Sequence, residues 1–165
     1  MEIKYKIDKP EYFSMAEKNC FLELIIRQGK VSKPTIEKIE SCLYLCMASF
    51  DSKIIGIGAL KQIYTTPFDN AGVPDLKSKF NIELGYLYVL DNQDGICFRG
   101  VGIGKSITRF LLTQKIDKNI FATTEFNETN PMLHILRNSG FTSIGKPYIG
   151  HKTHDIITLM ILIHE

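Results

Sequence analysis

The alternation of apolar and polar residues divides the chain into predicted strands and helices. A period of two predicts four strands: EIKYKI, LYLCMASF, IIGIGALKQIY and IELGYLYVL. The turn DSK joins the second and third of these as a hairpin. A period near 3.6 predicts a helix that Pro10 opens and that runs toward Gly29, a short helix over 35–41, and an amphipathic helix over 102–116. Residues 65–81 are rich in turn formers and predict a long loop.

The same two periods continue to the end of the sequence. IFATTEF predicts a strand, NPMLHILRNSG a helix that Gly140 closes, and FTSIGKPY with DIITLMILIHE a final hairpin. The order β-α-α-β-β-β-α-β-α-β-β predicts one mixed α/β domain over residues 1–165, with parallel and antiparallel strand pairs. Because the last strand is almost continuously apolar, we expect it to be covered on both faces.

Composition excludes several classes of function. With 20 Lys and Arg against 18 Asp and Glu, the net charge of +2 gives no steering toward nucleic acid or a membrane surface. The longest apolar run, IITLMILI, is too short to span a bilayer, and the N-terminus lacks a signal-peptide core. The four cysteines form no CxxC pair and the histidines add no ligand spacing, so we expect no metal site and free thiols in a reducing cytoplasm.

The segment RGVGIGKS, residues 99–106, places three glycines, a lysine and a serine before an amphipathic helix. A nucleotide-triphosphate P-loop would need a glycine where Arg99 stands, and a dinucleotide fingerprint would need a glycine at Lys105. A turn without a ligand is a further alternative, although three alternating glycines cost backbone entropy on folding.

A pyrophosphate cradle of the form Arg/Gln-x-x-Gly-x-Gly/Ala fits the segment in register at Arg99, Gly102 and Gly104. The first turn of a helix has unpaired N–H groups and a partial positive charge, and small residues let an anion approach them. Lys105 and Ser106 would add a charge and a hydroxyl. The pattern therefore favours a site for a diphosphate.

With its flanking segments, this motif resembles the GNAT superfamily of N-acetyltransferases. ELGYLYVL followed by RGVGIGKSITRFLL is similar to that family's fourth strand, cofactor loop and helix, and FATTEFNETNPMLHILRNSGF is similar to its next strand and helix. The resemblance implies an α/β (α+β) fold, with a mixed, mostly antiparallel central sheet of about seven strands and about four flanking helices. It also implies transfer of an acetyl group from acetyl-CoA to a primary amine by direct attack, and a homodimer rests on the resemblance alone.

The resemblance further implies which residues hold acetyl-CoA. Three neighbours in the fourth strand would bind the pantetheine arm through their backbone, one of them facing the thioester oxygen: Tyr88, Val89 and Leu90. The diphosphate would lie on the glycine segment: Arg99, Gly100, Val101, Gly102, Ile103, Gly104, Lys105 and Ser106. Asn130 is the candidate for the asparagine that touches the cofactor arm in relatives, and we expect Thr129 to cap the helix.

The link DNQDGICF, residues 91–98, is longer than the corresponding link in relatives. We expect it to bulge from the surface and to close over the cofactor. Its two aspartates would disfavour a nearby polyphosphate, so we expect them to face away.

For catalysis, the resemblance points to Glu83, which has the spacing at which some relatives carry a general base. Without a bulge, Glu83 would share a strand face with Gly85, Leu87 and Val89. Partial burial would suit a carboxylate to this role. The alternative is a solubilising charge at a strand end.

The acid is harder to assign. Relatives carry a tyrosine four residues before the Gly of Gly-Phe, where this chain has Leu136. Tyr148, before the last turn, is the candidate that remains, with packing as its alternative role. Protonation of the leaving thiolate by water would need no protein acid.

The acceptor would contact the first helix, loop 65–81 and the last hairpin. Because that loop carries mixed charges and no strongly acidic groove, we expect a small metabolite or amino-acid-like amine. Acetylation of protein N-termini or lysines is an alternative, as is a catalytically weak acyl-CoA-binding regulatory module, which Leu136 favours.

Overall fold

The structure is a computed structural model that describes residues 1–62, 66–114 and 116–164. In these ranges the strands are β1 (Lys4–Asp8), β2 (Tyr44–Phe50), β3 (Lys53–Gln62), β4 (Ile82–Val89), β5 (Asn92–Gln93), β6 (Ile96–Cys97), β7 (Ile120–Glu125), β8 (Thr142–Ile149) and β9 (Ile156–Leu162). The α-helices are α1 (Met15–Gln28), α2 (Ile36–Glu40), α3 (Thr66–Asn70), α4 (Ile103–Leu112) and α5 (Pro131–Asn138). Parts of four predicted segments lie outside the described residues: Ile63 and Tyr64 of the third strand, Thr65 of the loop, Lys115 of the helix over 102–116, and Glu165 of the last strand.

Seven strands form the central sheet, in the order β1-β2-β3-β4-β7-β9-β8. Every neighbouring pair is antiparallel except β4 and β7, which run parallel. The predicted mixed, mostly antiparallel sheet of seven strands is therefore confirmed. In β9 the residues from Thr158 to Ile161 are all buried, so this strand is covered on both faces, as expected.

Helices α1 and α4 cover opposite faces of the sheet over strands β3 and β4. On one face, Phe21 of α1 packs edge-on against Tyr86 of β4, with ring centroids 6.2 Å apart. On the other face, a Cβ at Gly58 of β3 would meet Ile107 of α4 and Leu87 of β4. None of the helices in the described ranges combines the length and hydropathy that crossing a bilayer requires.

Helix α1 begins later than the sequence pattern predicts. Pro10–Tyr12 forms a separate 3-10 turn, and Ser14 caps the helix. The Ser14 hydroxyl accepts from the Glu17 N–H at 3.1 Å, and the Glu17 carboxylate accepts from the Ser14 N–H at 2.7 Å. The prediction that Pro10 opens the helix was wrong because this reciprocal capping box satisfies the first-turn donors one turn later.

The segment between β3 and β4 is more ordered than a loop. It contains α3 and a 3-10 helix, Pro74–Lys79. Phe68 is fully buried, 5.2 Å from the ring centroids of both Phe80 and Phe121. The Lys146 N–H of β8 donates to the Ala71 carbonyl at 2.9 Å, so this segment covers β7, β9 and β8 on the α1 face.

Residues 91–98 form a hairpin that packs back onto the protein. Asp94 and Gly95, both with positive φ, make the two-residue turn between β5 and β6. Lys53 donates to the Asp94 carboxylate at 2.6 Å, and Phe98 is buried against Phe50 with ring centroids 5.7 Å apart. The link is thus a surface hairpin that these contacts fix to the β2–β3 turn, and its closure over a cofactor stays a prediction.

Candidate functional site

The N-terminus of α4 presents backbone N–H groups that have no protein partner. Ser106 donates to the Gly102 carbonyl at 3.0 Å, which is the first hydrogen bond of the helix. In the described part of the chain, no acceptor takes up the N–H groups of residues 101–105. Residues 99–102 are exposed, so an anion can reach these donors and the positive end of the helix dipole from solvent.

Two glycines shape this turn in different ways. Gly102 has φ +87°, a left-handed conformation that side chains rarely adopt, and a Cβ there would meet no heavy atom within 4 Å. Gly104 lies deeper, where a Cβ would be 3.4 Å from Ile135 of α5 and 3.8 Å from Val89 of β4. The glycine segment therefore lies beside the end of β4 and is open to solvent at Gly102.

Arg99 reaches back to the end of β4. Its Nε donates to the Val89 carbonyl at 3.4 Å and lies 3.8 Å from Oδ1 of Asp91. Both aspartates of the 91–98 link were expected to face away from the diphosphate site. This is wrong for Asp91, because its carboxylate lies beside Arg99. Asp94, by contrast, pairs with Lys53.

Strands β4 and β7 separate after a short contact. They pair only at Ile82 with Ile120 and at Glu83 with Phe121, which leaves a cleft beside the rest of β4. The Leu90 N–H donates to the Ile55 carbonyl of β3 at 2.8 Å. This N–H is therefore not free to bind the pantetheine arm in the way that was predicted. Tyr88, two residues earlier, also turns its backbone toward β3, because alternate residues of an antiparallel strand share a neighbour.

The backbone groups that face the cleft belong to Leu87 and Val89. The Leu87 carbonyl accepts from Nε2 of Gln28, at the end of α1, at 2.9 Å, and the Val89 carbonyl accepts from Arg99. Of the three strand residues predicted to bind the arm, Val89 is thus the one that presents its backbone to the cleft. Gln28 carries no motif, and only the fold brings it to this strand.

A bulge interrupts β4 at Tyr86, which has φ +54°. The register with β3 shifts between the pairs Ile57–Tyr88 and Ala59–Gly85. Glu83 and Gly85 consequently lie on the α1 face, whereas Leu87 lies against α4. A common face was expected only without a bulge, and here the extra residue inverts the alternation and moves Leu87 and Val89 to the other face.

Glu83 is buried beside a lysine from the neighbouring strand. Nζ of Lys61 donates to Oε2 of Glu83 at 3.2 Å, and Nζ also lies 4.2 Å from the ring centroid of Tyr86. Burial lowers the pKa of Lys61, but the negative charge of Glu83 and its hydrogen bond raise it, so the net shift is upward. Glu83 is therefore part of a buried ion pair and not a solvated strand-end charge.

Tyr148 of β8 lies near the same carboxylate. It packs against the cluster around Phe68 and Phe121. Burial raises the pKa of Tyr148 to about 12, and the negative charge of Glu83 contributes to the rise. The two predicted catalytic residues, which are 65 positions apart in the sequence, thus lie within electrostatic range of each other on the α1 face of the sheet, and Tyr148 keeps its proton at neutral pH.

Comparison with known proteins identifies the fold. No family model and no curated sequence matches the chain. An acyl-CoA N-acyltransferase from Pseudomonas aeruginosa has a TM-score of 0.69 at 11% identity, covering 98% of this chain and 100% of its own. An acetyltransferase of the GNAT family from Streptococcus pneumoniae has a TM-score of 0.66 at 12% identity, covering 99% and 100%.

The chain has the GNAT fold. A third solved structure, yncA from Salmonella typhimurium with its cofactor acetyl-CoA, has a TM-score of 0.66 at 12% identity, covering 99% of this chain and 94% of that one. At such identities the likeness concerns the fold, and the chemistry must be argued from the side chains of this chain.

Within this GNAT fold, Asn130 serves as the N-cap of α5. Its Oδ1 accepts from the Met132 N–H at 3.1 Å, and its Nδ2 donates to Thr124 Oγ1 at 2.9 Å and to the Glu125 carbonyl at 2.8 Å. Both amide hydrogens are therefore used inside the protein, and contact with a cofactor stays a prediction. The prediction that Thr129 caps the helix was wrong, because Thr129 bonds to the Asn127 side chain instead.

Helix α5 offers little chemistry to the site. Leu136, at the position where the resemblance led us to expect a tyrosine, is fully buried in the core. His134 is exposed, with Nε2 2.6 Å from the Glu128 carbonyl. The acid therefore has to come from elsewhere in this fold or from water.

Two contacts link the loop between α1 and α2 to other elements of the fold. Nζ of Lys152, in the β8–β9 turn, donates to the Val31 carbonyl in the α1–α2 loop at 2.6 Å. Nζ of Lys30 lies 3.7 Å from a carboxylate oxygen of Glu125 at the end of β7. Of the three segments expected to contact the acceptor, the last hairpin is thus joined to the loop that follows the first helix.

Three further observations concern metals, thiols and cavities. No group of three or more His, Cys, Asp or Glu side chains could hold a metal among the described residues, and all four cysteines are unpaired. A cavity of about 750 Å³ lies near Ile82 and Lys18, at the opposite end of β4 from the glycine segment. It shares no lining residue with the 99–106 segment, and its lining includes Cys42, Gln62 and Ile82, next to Lys61 and Glu83.

Proposed function

We propose that this protein is an acetyl-CoA-dependent N-acetyltransferase that acts on a primary amine of a small metabolite or amino-acid-like acceptor. The open N–H groups of residues 101–105 carry the proposal, because a row of free amides at a helix N-terminus suits a diphosphate. The GNAT fold of the chain supports it, since the fold places these amides beside the cleft between β4 and β7.

The residues present fit the parts of CoA. Residues 101–105 would hold the diphosphate, and the Leu87 and Val89 backbone would bind the amides of the pantetheine arm along the cleft. Bound acetyl-CoA would supply an activated acyl group and a thiolate leaving group. Arg99 would exchange its contact with the Val89 carbonyl for the phosphate.

Glu83 and Tyr148 have properties that suit proton transfer. The amine must lose a proton as its nitrogen bonds to the acyl carbon, and the sulfur must gain one as the carbon–sulfur bond breaks. Glu83 would accept the first proton, directly or through water. Tyr148 would donate the second, which its raised pKa of about 12 favours by keeping it protonated.

The acceptor would enter on the α1 face, beneath the contact of Lys152 with Val31. This contact links the β8–β9 turn to the α1–α2 loop, and an entrance bridged in this way would favour a small amine over a lysine on a folded protein surface. The four unpaired cysteines favour a reducing, cytoplasmic setting.

A ligand screen tests the cofactor part. Thermal unfolding is measured with CoA, acetyl-CoA and magnesium-ATP, because a ligand that binds the folded state raises the midpoint. A shift with the two coenzymes and none with magnesium-ATP is expected. A shift with magnesium-ATP alone would contradict the proposal and favour a nucleotide-binding loop.

Release of CoA thiol over a panel of small amines, amino acids and short peptides tests the reaction. Protein without acetyl-CoA is the blank, because exposed Cys97 also reacts with thiol reagents. Glu83→Gln should lower kcat/KM by about a hundredfold or more while the affinity for CoA stays unchanged. Turnover confined to peptides would favour protein N-termini as acceptors, and coenzyme binding without any turnover would favour a regulatory module.

A further inference from the structure

Lys61 lies in β3, next to β4, and its Nζ is beside Glu83 and the ring of Tyr86. The β3–β4 register pairs it directly with Glu83. The side chains are only 15% and 10% exposed, and Nζ to Oε2 is 3.2 Å. A buried, hydrogen-bonded ion pair of this kind costs desolvation on both sides, so it is weak as a source of stability.

Gly85 gives the Lys61 side chain its path across β4. A Cβ at position 85 would come within 2.8 Å of Lys61 Cδ and 3.3 Å of its Nζ. The same position is 3.4 Å from Oε1 of Glu83, the oxygen that Lys61 leaves free. The missing side chain at Gly85 therefore lets the lysine reach Glu83 and leaves the second carboxylate oxygen next to the bulge.

Four titratable groups from different elements lie within electrostatic range of Glu83. Lys61 comes from β3, Tyr86 from β4, Tyr148 from β8 and Cys42 from the connection between α2 and β2. Burial raises the pKa of the two tyrosines and of the Cys42 thiol, so these three stay neutral near pH 7. Among the four, Lys61 is the group that supplies positive charge.

We propose that Lys61 is a positioning residue of this site, which holds the Glu83 carboxylate ionised and turned toward the bulge in β4. The inference rests on the proposed function for its catalytic meaning. Its physical basis is that a buried carboxylate without a countercharge takes up a proton, and a protonated carboxyl accepts none from an amine.

The first test does not depend on activity. In protein labelled with ¹³C at the glutamate side-chain carboxyl, the Glu83 signal is assigned by its loss in Glu83→Gln. Removal of the ammonium in Lys61→Met should move the titration of this signal upward by about 1 to 3 pH units. Lys61→Arg, which keeps the charge, should move it less.

The second test follows kcat/KM against pH. Lys61→Met should lose kcat/KM relative to the unaltered protein only below the raised pKa, by about tenfold for each further pH unit, and should recover as the pH rises above it, while CoA affinity stays unchanged. A loss of the same factor at every pH would overturn the proposal, since it would assign Lys61 a direct or purely structural role. An unmoved Glu83 signal would overturn it as well.

Gly85→Ala is the second variant, should Lys61→Met fold poorly. The added methyl displaces the flexible lysine without removing any ionisable group, so the shift should have the same sign and a smaller size. Combined with Lys61→Met, it should add little to the Glu83 titration. If the unaltered protein binds no CoA and transfers no acetyl group, the proposed function fails, while the ¹³C titration still decides whether Lys61 controls Glu83.

Discussion

A glutamate at position 102 tests the anion site at the start of α4. Because a Cβ there meets no heavy atom within 4 Å, the new side chain has room and does not disturb packing. Its carboxylate would extend over the free N–H groups of residues 101–105. Gly102→Glu should therefore weaken CoA binding through charge and through direct competition for these donors.

The magnitude follows from Coulomb's law. One carboxylate about 5 Å from a diphosphate with about two negative charges costs about 1.7 to 6.6 kcal/mol at effective dielectric constants between about 80 and 20. Even the lower value corresponds to about a seventeenfold increase in the dissociation constant, and added salt should reduce the effect. Gly102→Gln, of the same size without the charge, should show a smaller increase.

The substitution also forces a side chain into a left-handed backbone conformation, which costs about 1 to 2 kcal/mol. Gly72→Glu is a matched control, because Gly72 has φ +75° and equally open space, far from α4 in the β3–β4 segment. Isothermal titration with CoA and thermal unfolding should show similar destabilisation in both variants and weaker binding only in Gly102→Glu. A dissociation constant for Gly102→Glu within about threefold of the unaltered protein would refute the anion site.

Three other substitutions have clear expected outcomes. Asp91→Asn should strengthen CoA binding by about two- to fivefold at low salt, because an exposed competitor of the phosphate is removed; Asp94→Asn, which carries the same charge change, should leave the titration unaltered. Tyr148→Phe should lower kcat by about ten- to hundredfold. Because burial raises the pKa of Tyr148 to about 12, this loss should be the same at every pH below about 11. A loss confined to alkaline pH would contradict the role of Tyr148 as proton donor. Phe68→Ala should lower the free energy of unfolding by about 3 to 5 kcal/mol in urea titrations, whereas a change no larger than that of exposed Phe126→Ala would contradict its place in the core.

The parts of the site that depend on contiguous sequence could be predicted. The glycine segment and its helix were recognisable because spacing along the chain defines both the turn and the free amides. Two differences between prediction and structure follow from short local motifs. Ser14 and Glu17 form a capping box in the sequence SMAE, and Asp94-Gly95 is a preferred dipeptide for a tight hairpin turn.

Other features depend on pairing across the sheet and could not be read from one segment. The β4 bulge at Tyr86 arises from the register with β3, which local alternation does not encode. Lys61 stands out in the sequence only as a charge after the apolar run IIGIGAL, and its partner appears once strands are paired. Gln28 reaches Leu87 across 59 positions, a contact that only the completed fold creates.

The position of β9 has a consequence for biosynthesis. This strand follows β8 in the chain, yet it lies between β7 and β8 in the sheet. A ribosome therefore delivers β7 and β8 before the strand that joins them, and until then β7 has only two residue pairs with β4 to rely on. Nascent chains halted just before Ile156 should be captured by chaperones and digested by proteases, and resistance should arise abruptly when the final strand leaves the exit tunnel.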